Sequence, residues 1–385
     1  MIHVDKFIPG GQAIGTMPDG RKIFFWNALP GEDVVEYDIA KKKSHYYEAI
    51  ATNIGSPSPH RVQPHDDCFL STSPWQILDW NQEGIEKSAL VAEIFREHHI
   101  NIDVPPIVTN NQPYHYRNKM EYALYWDNST NKISLAFHAR GSHRKVPISK
   151  SSIECPEIFQ KATEIITGLN SRHEEARKYQ SLLLRCNQAG EVSGGLYENG
   201  KSHPSFPPLT DTILDYAYSY SPNGFFQINL PVYELALKEI KNHITTDKAL
   251  DLYSGVGTIG LSVARDRYLT LVESNKSAYQ ESLNNIHGLQ NVKSILTKSE
   301  DALDYITPDT TVILDPPRAG CDVKLINKIL EVTPPSIVYL SCNPATQARD
   351  VKYLLERYSI SAIQPFNFFP RTPHIENLVC LEKTK

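Results

Sequence analysis

Apolar and polar positions change rhythm twice along this chain. Over residues 1–55 short alternating runs ("KIFFWNAL", "EDVVEYDIA", "YYEAIATNI") are broken by "PGGQ", "PDG" and "LPGED", which are turn texts between strands and predict a small β-barrel. "GSPSPHRVQP" (Gly55–Pro64) then reads as a boundary. In "NQEGIEKSALVAEIFREHH" (Asn81–His99), Ile85, Ala89, Ala92 and Phe95 recur at helical spacing, and the 83–99 stretch is expected to pack on the carboxy-terminal domain. A mixed middle region follows, with strand-like "MEYALYW", "KISLAFHA" and "QSLLLRC" and helix-like "EIFQKATEIITGL". From about Phe225 strands and helices alternate strictly, through "KALDLYSG", "GTIGLSVARD", "YLTLVES", "TVILDPP", "SIVYLSC" and "ATQARDVKYLLERY" to a final "NLVCLEK". That rhythm predicts a mainly parallel, doubly wound α/β sheet. The expected division is a barrel over 1–57, a central α+β domain over 58–218 and a Rossmann-like domain over 219–385.

Size agrees, since 385 residues exceed what one core usually supports. No run approaches a membrane span and the amino terminus lacks a secretory pattern, so a soluble, cytoplasmic chain is expected. Six widely spaced cysteines do not form a disulfide framework. The net charge of −5 confines any nucleic-acid surface to local clusters, "AKKKSHYY" (Ala40–Tyr47) and "FHARGSHRK" (Phe137–Lys145).

The chemistry gathers at predicted strand ends. "ALDLYSGVGTIGLSVA" (Ala249–Ala264) joins a strand to a helix through Gly255, Gly257 and Gly260, and Glu273 ends the next strand, where its carboxylate can accept from two ribose hydroxyls. A dinucleotide or a nucleoside-type methyl donor would suit such a turn. "DLYSGVG" resembles the first motif of S-adenosylmethionine-dependent methyltransferases. In "TVILDPPRAGCD" (Thr311–Asp322) two prolines stiffen the loop after Asp315, and Arg318 stands where amino-group methyltransferases carry an aromatic ring. Cys342 ends "SIVYLSC". Glu376, in "RTPHIENLVCLEK" (Arg371–Lys383), opens a last strand that, on the resemblance to a methyltransferase-type sheet, runs antiparallel to its neighbours and so faces the same rim. A thiol, a carboxylate and a methyl donor suit carbon methylation of a pyrimidine: thiolate addition at C6 makes C5 nucleophilic, and a base then removes the C5 proton.

Together "FFQIN", "DLYSGVGTIGL", "ILDPPRAGCD", "SCNPATQARD" and "HIENLVCLEK" resemble the successive motifs of the RNA (uracil-5-)methyltransferase family, and "YRNKMEYAL" and a TRAM-type, OB-like amino-terminal text extend the likeness over nearly the whole chain. The resemblance implies Cys342 as nucleophile and Glu376 as base, Gln227, Tyr253, Glu273 and Asp315 around S-adenosylmethionine, and Phe225 near the target uracil. Arg117 and Lys119 would hold the RNA backbone, with Lys41–Lys43, Tyr46 and Tyr47 of the barrel as a remote grip. Implied partners are 23S ribosomal RNA or transfer RNA, the barrel tilting the expectation toward ribosomal RNA; a monomer without membrane contact is the simplest assembly. Many members carry an iron–sulfur cluster on four cysteines. Here, aligned on Trp75-Gln76, two of those positions are Leu70 and Ser73, leaving Cys68 and Cys155, so no cluster and no metal are expected. Two other readings remain open: a methyltransferase for another base atom, and an RNA-binding folding factor of the same fold.

Overall fold

Five strands, β1 (Ile2–Phe7), β2 (Ala13–Thr16), β3 (Lys22–Trp26), β4 (Asp33–Lys42) and β5 (Tyr46–Ser56), close into a barrel in the order β1-β2-β3-β5-β4. Their alternating residues Val4, Ala13, Ile23, Phe25, Val34 and Ala49 fill its interior. The computed structural model describes residues 1–202 and 204–384. Tyr47, expected as a stacking group, is instead 4 % exposed. Alternation in β5 turns it inward, and Arg21 covers its ring at 4.5 Å.

A short helix α1 (Phe69–Thr72) leads to α2 (Trp80–Glu97), which Asp79 caps by accepting from the Asn81 and Gln82 amides. The buried face of α2 differs from the expected one: Ile85 is 61 % exposed, whereas Glu83, Lys87, Leu90, Val91, Ile94 and Phe95 are buried. Two charged residues complete the stripe, so an apolar period alone sets the face about half a turn off.

The middle region is a five-stranded antiparallel sheet, with β6 (Lys119–Asp127), β7 (Lys132–His138), β8 (Lys145–Pro147), β9 (Tyr179–Cys186) and β10 (Val192–Glu198) in the order β10-β9-β6-β7-β8. Helix α3 (Pro156–Ser171) covers it through Ile158, Ala162, Ile166 and Leu169, a spacing that lines one helix face. A hairpin of β11 (Leu209–Ile213) and β12 (Tyr216–Tyr220) and helix α4 (Leu230–Lys241) lead into the last sheet.

That sheet holds seven strands in the order β15-β14-β13-β16-β17-β19-β18. Parallel strands β13 (Lys248–Leu252), β14 (Tyr268–Glu273), β15 (Val292–Leu296), β16 (Thr310–Leu314) and β17 (Ser336–Ser341) alternate with α5 (Thr258–Ala264), α6 (Lys276–Asn285), α7 (Val323–Val332) and α8 (Pro344–Leu354). β16 and β17 are buried along their whole length, as strands covered on both faces must be. The final β19 (Glu376–Lys383) runs antiparallel to β17, as expected. An edge strand β18 (Tyr358–Phe366) was not foreseen; Pro365 and weak alternation disguise it, and an edge tolerates both. One apolar cluster runs from the barrel through Trp75 and α2 to α7, α8 and one face of this sheet.

Candidate active site

Register brings the strand-end residues level. Leu252 pairs with Val272 and with Leu314, so Tyr253, Glu273 and Asp315 leave the sheet in one row. On the far side Ser341 pairs with Asn377, and one more step of that antiparallel register sets Cys342 beside Glu376. These five residues, with Phe225, Gln227, Gly255, Pro316, Pro317 and Arg318, line one cavity of about 660 Å³.

The glycine turn shapes its donor end. Gly255 has φ +57° and lies on the cavity wall, and an added Cβ there would meet no atom of the described residues within 4 Å. A ligand can therefore approach its backbone closely. Glu273 is fixed from below, accepting from the Gly255 amide at 2.8 Å and the Asn275 amide at 2.5 Å, with lone pairs to spare for hydroxyl donors. Beneath the turn, Asp251 accepts from the Gly260 amide at 2.8 Å, and burial raises its carboxyl to about 8. Tyr253 holds φ +66°, a left-handed conformation uncommon outside glycine.

At the other end the Cys342 thiol is half-buried and pushed up to about 11, first by burial, then by Glu376 and Asp315, with Arg318 acting the other way. Glu376 is 5 % exposed; burial, then Asp315, raises its carboxyl well above the ordinary range, and its Oε2 has no hydrogen-bond partner among the described residues. Burial raises Asp315 to about 7. Arg318 reaches His374 at 3.3 Å, and burial, then Arg318, keeps that imidazole neutral with a value near 4. A buried, orphaned carboxyl beside a thiol is an arrangement that folding alone would not favour.

The third wall is the 223–228 loop, and the central sheet grips it. Lys119 Nζ donates to the carbonyls of Asn223 (3.2 Å) and Gly224 (3.0 Å), Asn118 donates to those of Gln227 and Ile228, and the buried Arg185 donates to that of Phe226. Burial, then Arg185, lowers Lys119 to about 8. Phe225 is left 72 % exposed at the rim. Neither Arg117 nor Lys119 is a wall residue; the Arg117 Nε donates to the Lys119 carbonyl, and Lys119 acts on the loop behind the wall. Sequence reading missed Asn118 and Arg185, since nothing in their spacing links them to a loop so distant in the chain.

The residues at the cysteine-poor segment do not fit a four-thiolate cluster. Ser73 is buried and accepts from Gln76, whose amide also bonds Asp66, while Asp66 accepts from Ser152. Cys68 lies at 4.0 Å from the Lys150 carbonyl and Cys155 at 3.8 Å from that of His115.

Comparison with known proteins agrees with this geometry. Residues 304–384, which carry Asp315, Cys342 and Glu376, match the model of the tRNA (Uracil-5-)-methyltransferase family. An uncharacterized RNA methyltransferase of Prochlorococcus marinus is 30 % identical over 92 % of this chain and 99 % of its own length. The chain belongs to the RNA (uracil-5-)methyltransferase family. A second relative of this methyltransferase, an uncharacterized RNA methyltransferase of Bacillus cereus, is 27 % identical over 99 % of this chain and 96 % of its own. The fold of the methyltransferase matches the crystal structure of Pyrococcus abyssi tRNA (uracil-54, C5)-methyltransferase in complex with S-adenosyl-L-homocysteine, with a TM-score of 0.77, 23 % identity and coverage of 99 % and 100 % of the two chains.

Proposed function

We propose that this methyltransferase transfers a methyl group from S-adenosylmethionine to C5 of a uridine in RNA, with Cys342 as nucleophile and Glu376 as base. The observation that carries the reading is the register that sets a half-buried thiol beside an orphaned buried carboxyl on one cavity with a glycine turn. Gln227, Tyr253, Glu273 and Asp315 would hold the donor, and the open space at Gly255 and the fixed Glu273 carboxylate suit its ribose. When bound, the donor supplies an electrophilic methyl group.

Cys342 Sγ, once ionised, bonds to C6 of the uracil, and the electrons of the C5–C6 double bond move toward O4. C5 thereby becomes the nucleophile. After methylation Glu376 takes the C5 proton; the freed electron pair restores the C5–C6 double bond and expels the sulfur as thiolate. It is the carboxylate form of Glu376 that takes the proton, and a raised carboxyl pKa makes that form a stronger base toward a carbon-bound proton. Phe225 at the rim offers a ring on which an extruded base can stack, with Lys119 beside it for the backbone.

The test incubates full-length protein and labelled S-adenosylmethionine with unmodified transfer RNA and, separately, 23S ribosomal RNA, followed by digestion and identification of the nucleoside. Label in 5-methyluridine, in one RNA and not the other, is the expected result and assigns the RNA class. Label in another nucleoside, or in no RNA, contradicts the proposal.

A further inference from the structure

The segment that delivers Glu376 to the cavity, residues 367–375, belongs to the methyltransferase sheet by sequence but is held from outside it. Glu83 and Lys87 of α2 are fully buried and paired at 2.9 Å. Glu83 also accepts from the backbone amide of Arg371 (3.0 Å), from its guanidinium (3.2 Å) and from the Asn367 amide (3.1 Å). Lys87 donates to Asn367 Oδ1 at 2.7 Å and to the Phe369 carbonyl at 3.1 Å. The Arg371 guanidinium continues to the carbonyls of Gln76 (3.1 Å) and Leu78 (2.8 Å), and the Tyr116 hydroxyl donates to the Pro370 carbonyl at 2.9 Å. Even the barrel takes part, because Gly11 lies so close to Pro373 that an added Cβ would stand 2.0 Å from it.

Such a network is a poor way to stabilise a fold, since a buried ion pair recovers its desolvation cost only partly and apolar groups of the same shape commonly do as well. What it does well is select one geometry. Arg371 has φ +63° and is 3 % exposed, a left-handed conformation that an arginine keeps only where its surroundings over-determine it. Glu376 needs this service, because no hydrogen bond from the described residues reaches its Oε2 and its aim is therefore set by the backbone leading to it. We propose that Glu83, Lys87 and Arg371 are positioning residues for Glu376, a buried charge network that holds the base at the C5 proton. The inference rests on the roles proposed above for Cys342 and Glu376.

Thiol addition and proton removal can be read separately, which gives a readout that a merely structural role would not move. Full-length variants Arg371→Gly, Glu83→Gln and the paired Glu83→Gln/Lys87→Met are given S-adenosylmethionine and uridine-5-tritiated transcripts of transfer RNA and 23S ribosomal RNA. Denaturant-stable protein–RNA adduct reports addition, and tritium release reports proton removal. Arg371→Gly suits the left-handed backbone, so the loss of the guanidinium is not compounded by backbone strain. It is expected to keep KM for RNA, lose at least about tenfold in kcat, and raise the ratio of adduct to product at least about tenfold, in the direction of a Glu376→Gln control. If Glu83→Gln does not fold, the paired variant, which leaves no lone buried Lys87 charge, is expected to give the same shift. An unchanged ratio, whether activity is retained or adduct and product fall together, overturns the network's role while the roles of Cys342 and Glu376 stand. A Glu376→Gln control that releases tritium at the parent rate overturns both.

Discussion

A thiol held near 11 by burial and two carboxyls is largely protonated at neutral pH, so the reactivity of Cys342 has to rise with pH. Alkylation of Cys342 by iodoacetamide is expected to accelerate about tenfold per pH unit between 7 and 9, and Arg318→Gln, which removes the cation favouring the thiolate, to slow it throughout that range. A rate flat above pH 7 would show the thiol already ionised. Cys342→Ala is expected to lose activity by at least about 1000-fold. Glu376 makes a stability statement as well. Its folded carboxyl is raised, so as pH climbs through the ordinary carboxyl range the unfolded chain ionises while the folded one does not, and stability falls until the folded value is passed. Thermal melts of Glu376→Gln should therefore exceed the parent by a margin that grows as pH rises through and above the ordinary carboxyl range; a constant margin would argue against a raised carboxyl. Cys342 and Glu376 were legible in the sequence because each sits within a residue of a strand end, where local text announces both the strand and the turn. Glu83, Lys87 and Arg371 were not, because a buried charge reads as a surface one until its partners, nearly three hundred residues away, are in view.

At the scale of elements, the glycine turn between β13 and α5 separates binding from folding. Gly257 has φ +90°, and a Cβ there would lie 2.8 Å from Leu271 Cδ1. Gly257→Ala should cost about 1–3 kcal/mol in stability, seen as a lower urea midpoint with unchanged slope. Gly255→Ala meets no atom of the described residues, so its backbone strain of about 1–2 kcal/mol is the smaller effect and weakened binding of S-adenosylmethionine by calorimetry the larger one. Equal loss of binding in both, with no difference in stability, would contradict this division. The central parallel strands β16 and β17 were legible for the same reason that they are buried: covered on both faces, they read as nearly continuous apolar runs. The α2 face was misread where polar residues replaced apolar ones, and β18 was missed where a proline interrupts an edge.

Over the whole molecule, the barrel, the central sheet and the methyltransferase sheet are coupled through one cavity. The central sheet holds the Phe225 loop through Asn118, Lys119 and Arg185, and α2 with the barrel holds the loop before Glu376. RNA engaged by the amino-terminal region would thus bear on both cavity walls. In the barrel Lys41 is paired with Glu48 at 3.1 Å, so within the phosphate grip proposed for Lys41–Lys43 it is Lys42 and Lys43 that stand outside that ion pair. Lys42→Ala/Lys43→Ala should weaken RNA binding, reduce the slope of log K against log salt by about 0.7–0.9 for each phosphate no longer neutralised, and leave donor binding unaltered; an unchanged slope would remove the barrel lysines from the RNA surface. The measurement that bears most directly on the central claim is the mass of the covalent species formed when Glu376→Gln meets its RNA and S-adenosylmethionine. Fragmentation that places a 5-methylated uridine on Cys342 Sγ is the predicted result, and an RNA bonded to any other residue, or full turnover with no bonded species, would contradict it.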